Sequence, residues 1–158
     1  NVEITDPDAT GVIFAHGSRF GGHSLFIKDR KLHYVYNFLG IPPEQDFVSS
    51  EELKPGKYTF GMEFTREKSG EHGESIGQMK LYVNDKVVAE GPLRTQPGKF
   101  TLSGDGLCIG YDSGDAVSQD YQAPGKFQGG TIQAVGVTVE KASYSDLEKE
   151  AQRALMRD

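Results

Sequence analysis

The 158-residue chain carries a formal net charge of -6, with 36% hydrophobic and 25% charged residues. That composition fits a folded domain with a real core rather than a disordered segment. The negative charge argues mildly against nucleic acid, which wants a clustered basic face. No apolar run approaches the roughly 20 residues of a membrane-spanning helix. The chain opens on Asn1 rather than Met, and the reading expects a piece of a longer polypeptide. The 20 glycines and 7 prolines, set among aromatic and β-branched residues, favour many short strands.

In chain order, Asn1 to Thr5 reads as the remnant of a strand, and residues 11 to 16 and 24 to 28 as strands. Asp29-Arg30 occupies a two-residue turn position, although arginine is a poor occupant where positive φ is needed. Leu32, Tyr34, Tyr36 and Phe38 then alternate with Lys31, His33, Val35 and Asn37, the period of a strand. The clearest strand alternates Tyr58, Phe60, Met62 and Phe64. Residues 67 to 77 read as a polar loop. Met79, Leu81 and Val83 lead through Asn84-Asp85 into Val87-Val88, a hairpin. Phe100 and Leu102 mark another strand, and residues 107 to 110 one more. Residues 111 to 125 form a long loop, and a last strand is expected from about Gly130 to Glu140. In that strand Ile132 is out of phase with Val135, Val137 and Val139, so a β-bulge near Gln133-Ala134 is expected. Phe60, Met62, Phe64, Leu81 and Val137 are expected in the core.

The C-terminal segment differs. Ser145-Asp-Leu-Glu148 has capping-box spacing. Leu147, Ala151, Ala154 and Leu155 make a narrow apolar stripe, so residues 143–158 are expected as a helix docking on the β-domain of residues 1–142 or on a partner domain. The whole pattern, without βαβ alternation, predicts an all-β antiparallel two-sheet sandwich with one terminal helix.

Candidate chemistry is sparse. There is no nucleophile elbow, no phosphate-binding glycine loop and no zinc motif. Cys108, the single cysteine, reads as a small apolar filler. Of four histidines, His16, His23 and His33 could hold a metal if they met in space. Glu63, Glu71 and Glu74 lack the alternating placement along one strand that many glycan-cutting sandwich enzymes use.

Two loops stand out. Gly17-Ser18-Arg19-Phe20-Gly21-Gly22, with His23 beside it, presents a cation and a ring. Arg19 there either meets an anionic ligand or a neighbouring domain, or pairs with a carboxylate. In the second loop Asp112 and Asp115, with Asp120 beyond, are weak calcium candidates. The alternative is that they cap their own turns. The two loops are expected side by side at one rim, with Arg19 paired to a carboxylate such as that of Asp112.

The stretches GVIFAHGSRFGGHSLFIKD, KLHYVYNFLG, KLYVNDKVVAEG, GLCIGYDSGDAVSQDY and FQGGTIQAVGVTVE, in this order, resemble the C-terminal region of bacterial arylsulfatases. The ending SYSDLEKEAQRALMRD resembles the terminal helix of one branch of that group. The resemblance implies a concanavalin- or laminin-G-like jelly roll. It also implies a parent sulfatase, of a family often exported, whose catalytic domain lies N-terminal in the same polypeptide. That domain would use a formylglycine and a divalent cation, usually calcium. The formylglycine motif Cys-x-Pro/Ala-x-Arg is broken here, because Gly110 and Asp112 follow Cys108 at the two diagnostic positions. No catalytic residue or cofactor is therefore carried over. The implied role is a non-catalytic accessory domain that packs on the catalytic domain and shapes the approach of a sulfated substrate, with Arg19, Phe20, His23 and Asp112 as approach or loop-pairing candidates. A lectin-like module for sulfated glycan is the alternative. Many relatives carry Arg at the position of Tyr111, so this loop does not add that cation here. Many also carry Gly at the position of Arg30.

Overall fold

A computed structural model describes residues 1–97 and 105–139. The expected strand at Phe100 and Leu102 and the expected helix over 143–158 lie outside the described residues. Among the described residues the chain is all-β, with eleven strands: β1 (Val2–Ile4), β2 (Gly11–Ser18), β3 (Gly21–Lys28), β4 (Lys31–Asn37), β5 (Gln45–Val48), β6 (Gly56–Tyr58), β7 (Phe60–Ser69), β8 (Ser75–Val83), β9 (Lys86–Arg94), β10 (Asp105–Ile109) and β11 (Gly130–Ile132). All strand pairings are antiparallel. They form sheets ordered β11-β1-β6, β10-β2-β3-β4-β5 and β7-β8-β9.

The five-stranded sheet is the centre. Period-two alternation sends Leu25, Ile27, Leu32, Tyr34 and Tyr36 to its inner face, where they pack with Met79, Leu81 and Leu93 and with Val2 and Ile4. This layering is that of a β-sandwich. The residues that alternate with these on the same sheet form a second core on the outer face. There Val12, Ala15, Phe26 and Val35 meet Val117, with Tyr121 against them. Val117 and Tyr121 belong to the strandless stretch 111–125, which thus covers the sheet as a second layer would. A bulge in β2 between Val12 and Phe14 lets Ile13 and Phe14 both join the inner core.

The turns follow their residues. Asp29 and Arg30 adopt φ of 50° and 60° between the paired Lys28 and Lys31, the primed turn that matches strand twist. Arg30 takes that conformation without glycine, and its guanidinium bonds Glu52 Oε1 at 3.2 Å. Asn84 has φ 55° in the β8–β9 hairpin, as Asn tolerates.

Two expectations change, and one strand was not anticipated. The loop between β7 and β8 is only residues 70–74, because the two arms stay paired out to Ser69 and Ser75. β5 carries no clear alternation in sequence and forms by pairing with β4. The last strand stops at Ile132, and Val137, expected in the core, is 73% exposed. Among the described residues, no strand pairs with 135–139. β11 pairs with β1 in a register that sets Val2 opposite Ile132. Beyond it, Asn1 bonds Gln133 and Ala134. The amides of Gln133 and Ala134 both point at the Asn1 carbonyl, at 2.8 and 3.5 Å. Two residues thus face one, the arrangement of the expected bulge.

Candidate functional site

The β2–β3 hairpin closes over Arg19 and Phe20. Gly17 has φ 96° and Gly21 φ 141°, and a Cβ on Gly17 would collide with the Gly21 carbonyl oxygen. Glycine is required there for close backbone approach. Ser18 Oγ accepts the Phe20 amide at 3.2 Å. The tip thereby pushes both side chains outward. Phe20 is 56% exposed, and the Arg19 guanidinium lies 4.7 Å over its ring.

Three loops converge behind this tip, and Asn37 at the end of β4 ties them. Its amide nitrogen donates to the Arg19 carbonyl at 3.0 Å and to the Val117 carbonyl at 2.9 Å. Its side-chain oxygen accepts the Gly40 amide at 2.9 Å. A buried amide with both ends satisfied is a rigid link. Glu44 adds a second tie, accepting the Ser118 hydroxyl at 2.7 Å and the Gln119 amide at 3.0 Å. Between the loops lies an open cleft of about 790 Å³ bordered by Arg19, Phe20, Ile41, Glu44, Asp115 and Gln122, among others.

The two loops singled out in the sequence do meet. Arg19 Nε is 3.4 Å from Asp115 Oδ2, with both side chains more than half exposed. The carboxylate is that of Asp115, not Asp112. Asp112 is buried, and its Oδ2 accepts the Val117 amide at 2.9 Å and the Tyr121 hydroxyl at 2.6 Å. It shapes its own loop from inside. Tyr121 Oη also lies 2.9 Å from Ser24 Oγ on β3, which pins the covering loop to the sheet. Burial, then the bond to Asp112, holds the Tyr121 hydroxyl far above the usual phenol range. It is a fixed proton donor.

His23 is not at the cleft. Strand alternation turns it inward with Leu25 and Ile27, against Phe14 with ring centroids 5.4 Å apart, and Nδ1 lies 3.2 Å from Tyr34 Oη. Burial, then the neighbouring His16, lowers its pKa to about 4. His16 is beside it, ring centroids 5.8 Å apart. His33 sits on the opposite face of the sheet, stacked on Phe26, so the three histidines do not meet.

The calcium candidates do not converge either. Asp112 serves its turn, Asp115 faces Arg19, and Asp120 Oδ1 takes Lys28 Nζ at 2.6 Å. Among the described residues one group does gather ligand-capable atoms, His33, Asp46 and Asp120, all within 4.8 Å of one another. The Lys28 ammonium already stands on that group, and His33 Nδ1 is 3.5 Å from Asp46 Oδ1. A resident cation is therefore provided by the chain itself. Glu63 accepts the Tyr82 hydroxyl at 2.9 Å. Glu74 binds Arg94 and the His72 amide, so these acids do not form a facing pair. Cys108 is buried with Sγ 3.2 Å from Ser113 Oγ.

Sequence reasoning missed Asn37 and Glu44. Asn37 was one polar residue in an alternating strand, and only its position just before Phe-Leu-Gly-Ile-Pro-Pro hinted at a turn to be tied. No family model, no curated protein and no solved structure matches the chain.

Proposed function

We propose that the chain is a non-catalytic accessory domain of an arylsulfatase, of concanavalin-like jelly-roll type. In this reading it packs on a catalytic domain of the same polypeptide and borders the approach to its site. The observation that carries the reading is a coincidence of place. Among the stretches that resemble sulfatase C-terminal regions are those that contain β2 to β4 and most of the covering loop. The same stretches build the cleft and hold Arg19 and Phe20 outward at its rim. Neither side chain is needed for the core, so the hairpin tip is available to a neighbouring surface. Formylglycine and calcium would belong to the catalytic domain.

The test has two arms. The purified chain, assayed on an aryl sulfate with calcium, is expected to give no turnover. Turnover that survives repurification and scales with chain concentration would overturn the non-catalytic assignment. In the parent enzyme, Arg19→Ala and Phe20→Ala are expected to lower kcat/KM at least several-fold with the fold intact. Unchanged kinetics for both would remove the approach role.

The alternative, a module that binds sulfated glycan, is favoured by the size of the cleft and by the half-exposed Phe20 ring, since sugars stack on such rings. Charge weighs against it. Arg19 already faces Asp115, and Glu44 adds a second carboxylate to the wall. Titration with a sulfated glycan, followed by amide shifts at Arg19, Phe20 and Gln122, distinguishes the two. Saturable shifts there would favour the glycan module.

A further inference from the structure

The amino end of β1 lies between two arms of chain that run on beyond it. On one side, β1 pairs with β6 with Val2 opposite Tyr58. β6 leads through Thr59 alone into β7, and Thr59 Oγ1 donates to Asn1 Oδ1 at 3.0 Å. Among the described residues β7 pairs only with β8, and its other edge has no partner from Phe60 onward. On the other side, β1 pairs with β11, and the bulge at Gln133-Ala134 faces Asn1. The Asn1 amino group donates to the Ala134 carbonyl at 2.9 Å, the bond that a peptide N–H would make from the same place. Beyond it Val135, Val137 and Val139 alternate with Gly136 and Thr138, and they are 39%, 73% and 77% exposed. Such alternation of β-branched residues is what a half-buried strand carries. The bulge brings these valines into the phase of Ile132, which packs on the inner core.

Among the described residues, an unpaired edge and an exposed valine stripe flank the line of β1 and leave a gap along it. Leu107 and Ile109 of β10, 50% and 39% exposed, add bare apolar surface. Ile109 pairs with Phe14, an inner-face residue, and Gly110 lies close to Ile132. Among the described residues this end of the inner face is thus uncovered.

We propose that this gap is the seat of an additional β-strand, supplied by polypeptide joined to the amino end of β1. It pairs with the free edge of β7 on one side and with residues 135–139 on the other. The strand is antiparallel to both, as β1 is to β6 and β11. It carries apolar side chains at alternate positions to cover the inner face. Its insertion joins the β11-β1-β6 and β7-β8-β9 sheets into one. The domain is then completed by whatever precedes it, an intramolecular form of strand addition. This holds whether or not the parent is a sulfatase.

The test adds about seven residues of alternating Thr and Val ahead of Asn1, enough to span the arm at roughly 3.3 Å per residue. A Gly-Ser extension of equal length is the control. Amide hydrogen exchange is followed by NMR in both, and in the unextended chain. The Thr-Val chain is expected to slow exchange at least tenfold along Phe60–Arg66, at amides pointing away from β8, and along 135–139. The Gly-Ser chain is expected to match the unextended one. Val137→Asp in the Thr-Val chain is expected to reverse the protection of 135–139 while the far-ultraviolet dichroism of the sheet persists. Equal exchange in all three chains overturns the proposal. Protection already present in the unextended chain also overturns it. Light scattering then tells whether a second copy fills the gap or, in a monomer, residues 140–158 do.

Discussion

The central strands β2 to β4 and the ribbon of β7 to β9 belong to the same core yet follow different rules. β3 and β4 are covered on both faces, so their sequences run SLFI and LHYVY with little polar interruption. β7 is covered on one face at its first half and on neither at its second. It therefore shows the clean alternation of Phe60, Met62 and Phe64, then turns polar. The easier strand to read was the less buried one. Alternation marks exposure of one face, and a strand under two layers loses that signature.

Core truncation tests this contrast most severely. Phe26→Ala removes a ring that is 1% exposed, between the sheet and its covering loop, and is expected to cost about 3–5 kcal/mol. Phe64→Ala, on the half-covered ribbon, is expected to cost about 1–2 kcal/mol. Equal shifts in denaturant midpoint at unchanged m-value would erase the distinction. The next effect is pH-dependent and belongs to the inner face. His23 has a folded pKa of about 4 against 6.5 unfolded. The unfolded chain therefore binds the proton first as pH falls. Stability is full above about 6.5 and drains away between there and about 4, by about 3 kcal/mol. His23→Phe is expected to flatten that window, and a slope unchanged by the substitution would place the titration elsewhere. On the outer face, Asp112→Ala strips the Val117 amide and the Tyr121 hydroxyl of their acceptor and is expected to cost about 2–3 kcal/mol. Thermal unfolding reads it, and a shift no larger than that of an exposed Asp8→Ala control would demote the loop from core to ornament. The smallest effect is at the rim. Arg19→Ala breaks an exposed pair and is expected to change stability by less than about 1 kcal/mol, so any loss of parent activity would be its own.

The fold class and most strands were legible, because Phe60-Met62-Phe64, Met79-Leu81-Val83 and the Asp29-Arg30 and Asn84-Asp85 turns carry local signals. The meeting of the Arg19 loop with the second loop was legible as opposite charge on Gly-flanked turns. Which acid answers Arg19 was not, since Asp112 and Asp115 differ only in which faces inward. His23 was misplaced beside Arg19 because three residues separate it from the hairpin tip while one strand register decides its face. Val137 was misjudged for another reason. Its alternation describes a strand correctly, but pairing needs a neighbour, and no residue pattern within 130–139 reports on that. Asn37 and Glu44 act through backbone partners far along the chain, which periodicity does not encode.

The covering loop has a consequence for durability. Residues 111–125 contain no strand, yet Val117 and Tyr121 roof Phe26 and Val35 and are stitched down through Asp112, Ser24 and Asn37. A protease sees a long irregular segment, the usual invitation to cut, but its middle is interior rather than tether. Cleavage there would bare the oily outer side of the sheet, and the nicked species would be lost to clumping instead of persisting as a clipped domain. For a stretch with so little regular structure, wholeness of the peptide chain is itself the shelter.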